Sequence, residues 1–353
     1  MLLCRVRVII LAMKVSELGE FGLIDLLAGM VRGFRESHPA DWKGLLLGIG
    51  DDAAAWQDGG GIKMATADSF IQDVHFEAGM FPWKDVGWKA LAINLSDIAA
   101  MGGVPRYALV SLALPETTRV EDVASIYRGM IALAEENGVL IVGGNVSRAS
   151  QIVIDITVLG CAHGSEGHIL TRSAARPGDL VAVTGYLGAA TAGLAVLKGE
   201  NGVETADVST LKEALFHPIP RVAEGRLLLE RGIRSAIDIS DGLCSDLGHI
   251  CSASGLGARV RADKIPVHPS VRSSFAESAI EMAISGGEDY ELLFTGRIED
   301  INRVRRDARC PVTVIGDMTE ERKGEIVLVD PSGRPFEPAQ KGWQHFRQAS
   351  LWF

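Results

Sequence analysis

The sequence predicts a mixed α/β fold that is divided into two domains. The chain has 353 residues, which is more than one hydrophobic core ordinarily organises. Apolar runs typical of strands alternate with segments of helical periodicity in both halves. A segment rich in glycine, proline and charge, residues 163–179, separates the halves. We therefore predict an N-terminal extension at 1–12, a first domain at 13–165 and a second at 166–353.

The first domain is predicted to contain three helices and five strands. In the middle helix, apolar side chains recur every three or four residues from Trp88 to Ile98, and Gly102 ends the pattern. The last strand alternates between apolar and polar residues. In chain order the predicted elements are helix 17–34, strands 44–50 and 61–70, helix 84–103, strand 107–115, helix 120–138, and strands 139–144 and 151–162.

The second domain begins again with a strand followed by a small, apolar helix. Later, an apolar strand passes directly into a helix through the letters DISDG. In chain order the predicted elements are strand 180–185, helix 187–199, strand 235–240, helix 241–254, and strands 290–296 and 325–330.

Composition excludes several classes of protein. The formal net charge is −10 and the pI is about 5.4, which argues against nucleic acid as the main partner. No apolar run reaches the roughly eighteen residues that a membrane helix needs. The five cysteines are dispersed without CxxC spacing, which predicts reduced thiols in the cytoplasm. The N-terminal apolar run is short and lacks a cleavage site, so a signal peptide is disfavoured; Met1 and Met13 both stay open as the start.

Five aspartates occupy positions where a carboxylate needs a counter-charge. Asp52 and Asp68 follow apolar strands, and Asp238 and Asp241 flank the passage from a strand into a helix. Asp97 lies within a helix that offers no lysine or arginine three or four residues away. Asx turns and helix caps are alternative explanations for the acids at element ends, but they suit Asp97 least. Together the acids predict a site for Mg²⁺ shared with substrate phosphates.

The motifs of other phosphate-handling and hydrolytic enzymes are absent. The sequence has no P-loop, no HRD or DFG set of protein kinases, and no nucleophile elbow. Gly143 and Gly144 follow a strand and could meet a phosphate with backbone N–H groups, although such a pair is more often only a tight turn. Asp51 stays undecided between a ligand and a turn residue.

The ordered motifs GIGDDAAAW, WKALAINLSDIAAMGG, GGNVSR, IDISDGLCSDLGHI, SGGEDYELLF and KGWQHF resemble the thiamine-monophosphate kinase family. The resemblance extends from about residue 18 to residue 346. It implies the two-domain fold shared with aminoimidazole ribonucleotide synthetase and a homodimer formed through the N-terminal sheet. It also implies Mg²⁺-dependent transfer of phosphate from ATP to thiamine monophosphate, giving thiamine diphosphate.

The resemblance also implies roles for individual residues. Asp97 and Asp241 fall at the catalytic centre. The implied magnesium ligands are Asp52, Thr66, Ala67, Asp68, Asp97, Asn145, Asp238 and Asp241. The implied nucleotide-binding residues are Gly144, Asn145, Arg172, Ser240 and Tyr127. The implied contacts to thiamine phosphate are His75, Glu288 and Trp343.

Two positions depart from the family pattern. Asn145 stands where many relatives carry aspartate, so this position offers a neutral oxygen. Ala67 stands where many carry serine or threonine, so only its backbone carbonyl could bind a metal.

Each implied contact also has a structural alternative: core packing for Trp343, a turn acid for Glu288, a structural histidine for His75 and a surface ion pair for Arg172. Two other functions stay open. One is another ATP-using enzyme of the same superfamily, such as a selenophosphate or purine-pathway synthetase. The other is a non-catalytic protein that binds thiamine phosphate or a nucleotide.

Overall fold

Two β-sheets with packed helices make up the chain, which confirms the predicted mixed α/β class. The computed structural model describes residues 14–37, 43–163, 167–199 and 205–345. The predicted extension at 1–12 lies outside these residues. None of the helices within these ranges is both long enough and apolar enough to cross a membrane.

The first sheet has six strands in the order β1-β2-β3-β6-β4-β5. Its neighbouring strands run antiparallel except for β4 and β5, which are parallel. The predicted first helix is interrupted at Gly19, strand β2 was not predicted, and β5 continues past the predicted end at Gly144. The elements are α1 (Val15–Leu18), α2 (Glu20–Ser37), β1 (Leu45–Leu47), β2 (Ala54–Asp58), β3 (Gly61–Ile71), α3 (Trp83–Ala100), β4 (Gly103–Leu114), α4 (Val120–Asn137), β5 (Leu140–Arg148) and β6 (Val153–Ala162).

The second sheet has seven strands in the order β13-β12-β9-β11-β7-β10-β8. It too is antiparallel apart from one pair, β9 and β12. All six predicted elements are present, and the structure adds three strands and five helices. The elements are β7 (Leu180–Thr184), α5 (Ala189–Leu197), α6 (Thr205–Phe216), α7 (Val222–Glu230), β8 (Ser235–Asp238), α8 (Leu243–Ser254), β9 (Gly257–Arg261), α9 (Pro269–Ser274), α10 (Ala279–Ser285), β10 (Leu292–Gly296), α11 (Ile298–Asp307), β11 (Val312–Thr319), β12 (Ile326–Val329) and β13 (Pro335–Phe336).

Helix α3 lies at the centre of the molecule. It packs on β3, β4 and β6 of the first sheet and also contacts β8 and α7 of the second half. Its apolar side chains, including Leu91, Leu95 and Ile98, are fully buried in the larger hydrophobic core. Three polar side chains on the same helix, Lys89, Asn94 and Ser96, are also completely buried. Since buried polar groups require partners, α3 constrains the elements around it.

Helices α3 and α4 cross with their backbones in close contact. A Cβ atom added to Gly129 would lie 1.8 Å from the carbonyl oxygen of Lys84, and one added to Gly87 would lie 1.8 Å from that of Ile126. Such distances are far below van der Waals contact, so the crossing requires glycine on both helices.

We expect Gly129→Ala to lower the free energy of unfolding by about 3 kcal/mol, because the methyl group would push the two helices apart. Urea-induced unfolding measures this change. Gly29→Ala is the matched control, since a Cβ there would meet nothing within 4 Å on exposed helix α2. We expect the control to be neutral or to stabilise the protein by up to about 1 kcal/mol. Equal effects of the two substitutions would contradict the close crossing.

Candidate active site

Three carboxylates from distant parts of the chain meet between the two halves, two of them buried and one half-buried. Asp52 precedes β2, Asp97 lies on α3, and Asp238 ends β8. One oxygen atom from each lies within 4.8 Å of the other two. Asp52 and Asp238 are only 8% and 3% exposed. Asp52 Oδ2 is buried and has no hydrogen-bond partner among the described residues. We call Asp52, Asp97 and Asp238 the acid cluster.

Two hydroxyl groups orient the acid cluster. The Thr66 hydroxyl donates to Asp97 Oδ2 at 2.5 Å, so strand β3 fixes the helical carboxylate. The Ser96 hydroxyl donates to Asp238 Oδ2 at 2.6 Å, so helix α3 in turn fixes the carboxylate of the second half. Each bond leaves the other oxygen of its carboxylate available to a ligand.

Arg172 supplies a positive charge at the edge of the acid cluster. It lies on a short 3₁₀ turn, Arg172–Ala174, and its Nη2 donates to Asp52 Oδ1 at 2.5 Å. Its backbone N–H donates to Asp51 Oδ2 at 3.2 Å, and Ser254 donates to its carbonyl oxygen. The guanidinium is therefore fixed both by its backbone and by the acids that it faces.

The acid cluster lines a cavity of about 300 Å³, hereafter the acid cavity. Its charged lining residues are Asp51, Asp52, Asp68, Asp97, Asp238 and Arg172, so five carboxylates face one guanidinium.

Burial raises the pKa of Asp97 well above its usual range, and repulsion from Asp68, Asp238 and Asp52 adds to the shift. Burial and the charge of Asp52 likewise raise the pKa of Asp238 to about 7. Arg172 alone does not balance the negative charge of the five carboxylates in the acid cavity.

The chemistry of these residues fits magnesium. Hard carboxylate oxygens are the ligands that Mg²⁺ prefers, and a divalent cation would supply the missing positive charge. The unpartnered oxygen of Asp52 is the kind of atom that a metal would satisfy. Thr66, Ala67 and Asp68, three of the residues predicted to bind metal, also line the acid cavity.

A second cavity of about 250 Å³ adjoins the first, and we call it the substrate cavity. Both cavities are lined by Asp68, Ile93, Ser240 and Tyr290. The substrate cavity also contains all three residues that the resemblance assigns to thiamine phosphate. Its lining includes Glu20, His75, Asp241, Glu288, Trp343 and His345.

His75 is neutral in its present surroundings. Burial, together with the nearby charges of His345 and Lys89, lowers its pKa to about 4. Its Nδ1 accepts the backbone N–H of Ile71 at 3.0 Å. The neutral ring therefore carries its proton on Nε2 and can donate a hydrogen bond from there.

One buried acid shapes the loop that carries Ser240 and Asp241. Asp246 Oδ2 accepts three backbone N–H groups, those of Ser240, Asp241 and Gly242, at 3.0–3.2 Å. Burial raises the pKa of Asp241 to about 7, and the charge of Glu20 adds to the shift. Asp246 was not predicted as a site residue, and its role is to hold this loop at the junction of the two cavities.

The C-terminal segment closes one side of the substrate cavity. The backbone N–H of Trp343 donates to the carbonyl of Asp241 at 2.9 Å. The backbone N–H of His345 donates to Glu20 Oε2, also at 2.9 Å. The Trp343 and His345 rings meet edge to face, with centroids 5.8 Å apart. Trp343 is thus held at the cavity wall by its own backbone hydrogen bond and by the bond of the neighbouring His345 to Glu20.

Three predicted nucleotide-binding residues lie away from both cavities. Tyr127 is on α4, and Gly144 and Asn145 are on β5, at the edge of the first sheet. In the strand register Asn145 pairs with Ser111, whereas Gly144 falls in the row of Asp68. The side chain of Asn145 therefore faces the opposite side of the sheet from Asp68.

Sequence reasoning missed several residues that shape the site. Lys89 carried a usable signal, because it precedes Ile93 and Asp97 by four and eight residues and so shares their face of α3. Ser96 gave none, since its partner Asp238 is 142 residues away along the chain. Glu20 and His345 likewise meet only through the tertiary fold.

The fold and the acid cluster define a protein of the AIR synthase class. Residues 50–162 match the family described as AIR synthase related protein, N-terminal domain, and residues 176–329 match the corresponding C-terminal domain. Within this class the chain belongs to the thiamine-monophosphate kinase family.

Two curated relatives and one solved structure illustrate the membership. The thiamine-monophosphate kinase of Bacillus subtilis (strain 168) is 35% identical over 314 residues, which is 85% of this chain and 94% of the relative. That of Aquifex aeolicus (strain VF5) is 35% identical over 337 residues, which is 95% of this chain and 100% of the relative. A solved AaThiL complexed with AMPPCP and TMP is 32% identical with a TM-score of 0.80, covering 95% of this chain and 99% of that one.

We expect Asp97→Asn to raise the melting temperature of metal-free protein at pH 7.5 by about 3 °C or more, because it removes one of several repelling buried charges. The raised pKa values mean that the folded state binds these protons more tightly than the unfolded state does. The contribution of these carboxyl groups to stability is therefore greatest below about pH 4 and is lost as pH rises through about 7, the pKa of Asp238. In chelator, the loss between pH 5 and 8 is smaller in the variant.

Magnesium should then stabilise the wild type more than the variant. Thermal melts with and without magnesium provide the comparison. Asp25→Asn, at an exposed position on α2, is the control and should change neither quantity. A variant that is less stable in chelator and keeps the full magnesium response would show that Asp97 is not a ligand.

Proposed function

We propose that the chain transfers the γ-phosphoryl group of ATP to thiamine monophosphate and so forms thiamine diphosphate and ADP. The observation that carries this proposal is the acid cluster, which two halves of the chain assemble beside a cavity lined by His75, Glu288 and Trp343. Membership of the thiamine-monophosphate kinase family supports the substrate assignment. We further place the enzyme in the cytoplasm, a reducing compartment that suits the free thiols of Cys161, Cys244, Cys251 and Cys310.

Asp52, Asp97 and Asp238 would hold magnesium, with Asp68 and Asp241 beside them and Thr66 and the Ala67 carbonyl at the cavity wall. When bound, magnesium supplies positive charge that offsets repulsion between phosphates and stabilises the charge of the transferring group. We assign Asp97 and Asp241 to the catalytic centre, because they come from opposite halves of the chain and line adjoining cavities.

Arg172 and Ser240 are the proposed nucleotide contacts that lie in the acid cavity. The guanidinium of Arg172 is held by Asp52 and leaves donors for a phosphate oxygen. Ser240 lies where both cavities meet, so its hydroxyl can contact a phosphate on either side. These positions suit a donor phosphate that enters from the acid cavity.

The substrate cavity suits a cationic ligand. Its lining includes four carboxylates, those of Glu20, Asp68, Asp241 and Glu288, and no lysine or arginine among the described residues that line it. The thiazolium of thiamine monophosphate is a cation, and the face of Trp343 can stabilise it by about 0.5–2 kcal/mol. The neutral His75 can donate its Nε2 proton to the substrate phosphate.

The acceptor phosphate needs little activation. Its second pKa is about 6, so it is mostly ionised at neutral pH and requires no strong general base. The main barrier is repulsion between the two phosphates, since two unit charges 4 Å apart repel by about 4 kcal/mol at an effective dielectric constant of 20. We therefore propose direct in-line transfer without a phosphorylated enzyme. The protein contributes position, exclusion of water and fixed charge.

The test of function is an assay of thiamine diphosphate formed from ATP and thiamine monophosphate in the presence of magnesium. We expect product with the monophosphate and none with free thiamine as acceptor. Asp97→Asn should reduce turnover by at least about 100-fold, because charge stabilisation of the transferring group is lost. Asp25→Asn should retain full activity.

Binding of thiamine monophosphate without product would instead favour a non-catalytic binding protein, the function that the departures at Asn145 and Ala67 would suit.

The chain is proposed to form a homodimer through the first sheet. Strand β5 is an edge strand with one hydrogen-bonded neighbour, and almost all of its residues are exposed. Large apolar side chains stand on it, with Leu140 61%, Val142 54% and Val146 70% exposed. Unpaired apolar edges are normally covered, and a second copy of the same sheet is a suitable partner. Such a contact would place Gly144 and Asn145 at the boundary between copies.

We expect Val146→Asp to convert the dimer into a monomer, because the charge would be buried at the contact between sheets. Size-exclusion chromatography with light scattering measures the mass. Val120→Asp is the control, since Val120 is 84% exposed but lies at the start of α4, outside the first sheet. A dimer that survives Val146→Asp, or dissociates equally with the control, would locate the contact elsewhere.

A further inference from the structure

A buried lysine stands directly behind the substrate cavity. The side chain of Lys89 is 0% exposed, and its ammonium lies 5.7 Å from the centroid of the Phe81 ring. Glu288 Oε2 lies 3.0 Å from Nζ, within ion-pair distance. No acceptor among the described residues completes good hydrogen-bond geometry around Nζ. The contact is thus primarily electrostatic, between a fully buried cation and a carboxylate on the cavity wall.

Such a pair is a poor way to stabilise a fold. Removing two charges from water costs several kcal/mol per ion, and an apolar pair of similar volume is often equally stable or more stable. Lys89 also occupies a helix whose other inward-facing side chains are mostly apolar. The ion pair therefore indicates that the charge of Lys89 serves the substrate cavity rather than the stability of the fold.

The backbone of Glu288 is held independently of Lys89. Its φ angle is +67°, a left-handed conformation that is unfavourable for a residue with a side chain. Its N–H donates to the carbonyl of Ser240 at 2.7 Å. A Cβ atom added to the preceding Gly287 would lie 2.4 Å from the same carbonyl oxygen, so the two loops are in close contact. The loop places Glu288 at the cavity, but it leaves the carboxylate free to rotate.

Lys89 is the group that restricts the carboxylate. With Oε2 against the ammonium, the remaining oxygen of Glu288 is available to the cavity, where the side chain is 26% exposed. The result is a single acceptor oxygen with a fixed direction.

We propose that Lys89 is a positioning residue that keeps the Glu288 carboxylate aimed at the amino group of the thiamine pyrimidine. This inference rests on the proposed function, from which the ligand is taken. A fixed carboxylate accepts a hydrogen bond from an amino group and repels the lone pairs of an oxygen in the same place. Sites built for one hydrogen-bonding group reject analogues that lack it. Lys89 would therefore determine the preference for amino over oxo pyrimidines.

The test compares thiamine monophosphate with oxythiamine monophosphate, in which oxygen replaces the amino group. Binding by calorimetry and steady-state kinetics are both measured. We expect the wild type to prefer the amino compound by at least about 10-fold in affinity and in kcat/KM. Lys89→Met should raise KM for thiamine monophosphate about 10-fold and reduce the preference to within about 3-fold, with KM for ATP unchanged.

A double variant keeps the test decisive if Lys89→Met fails to fold. The pair Lys89→Met with Glu288→Gln leaves no uncompensated buried charge. If Lys89 acts through Glu288, the double variant should match Glu288→Gln alone in both affinity and preference. A further loss of more than about 3-fold in the double variant would show a separate action of Lys89 and overturn the proposal.

Asp300→Asn is the structural control, because it removes a buried carboxylate on α11 that pairs with Arg297 and Arg303, outside both cavities. It should lower stability without changing the preference. A wild type that prefers neither ligand, or a folded Lys89→Met variant that keeps the wild-type preference, would refute the role of Lys89. Selective binding without product would refute the phosphoryl transfer alone.

Discussion

The fold depends on one requirement: the buried polar side chains of helix α3 must find partners on the surrounding elements. Helix α3 lies between the two halves, so water cannot satisfy Lys89, Asn94 and Ser96, its completely buried polar side chains. Each is instead met by another element: Asn94 accepts the backbone N–H of Asp68 at 3.0 Å, and Ser96 donates to Asp238. Each unmatched group would cost about 1–3 kcal/mol. These requirements fix the register of the neighbouring elements, and the same contacts bring the acid cluster together.

The charge distribution explains how a protein with net charge −10 can act on anions. Carboxylates in the acid cavity outnumber cations, so the unliganded site carries an excess of negative charge. Bound divalent cations would offset this excess, whereas a site built from arginines would attract phosphates whether or not a metal was bound. The protein thus recognises phosphate indirectly. The substrate cavity keeps its own negative character, which suits a ligand that is cationic at one end.

The sequence was largely sufficient to predict the carboxylates of the acid cluster. It was not sufficient to predict the residues that contact them. Asp97 could be recognised because a charge in mid-helix without a local cation needs an explanation. Asp52 could be recognised because it follows the apolar strand predicted at 44–50, and Asp238 because it lies where a predicted strand passes into a helix. Strand β2 escaped prediction because it is short and two of its five residues are polar.

The pairing of Lys89 with Glu288, by contrast, depends on how a loop of the second half approaches a helix of the first. No local pattern contains that information. The position of Asn145 could not be predicted from the sequence for the same reason. The side of the sheet that its side chain faces depends on the register across four strands.

The division of the acid cluster between two halves has a consequence for unfolding. Asp52 and Asp97 come from the first half, whereas Asp238 comes from the second. A cation held by all three would link segments that are far apart in the chain, much as a cross-link does, but only in the folded state. Its binding energy would then oppose the separate opening of either half. The ligand set would make the two halves unfold as one cooperative unit.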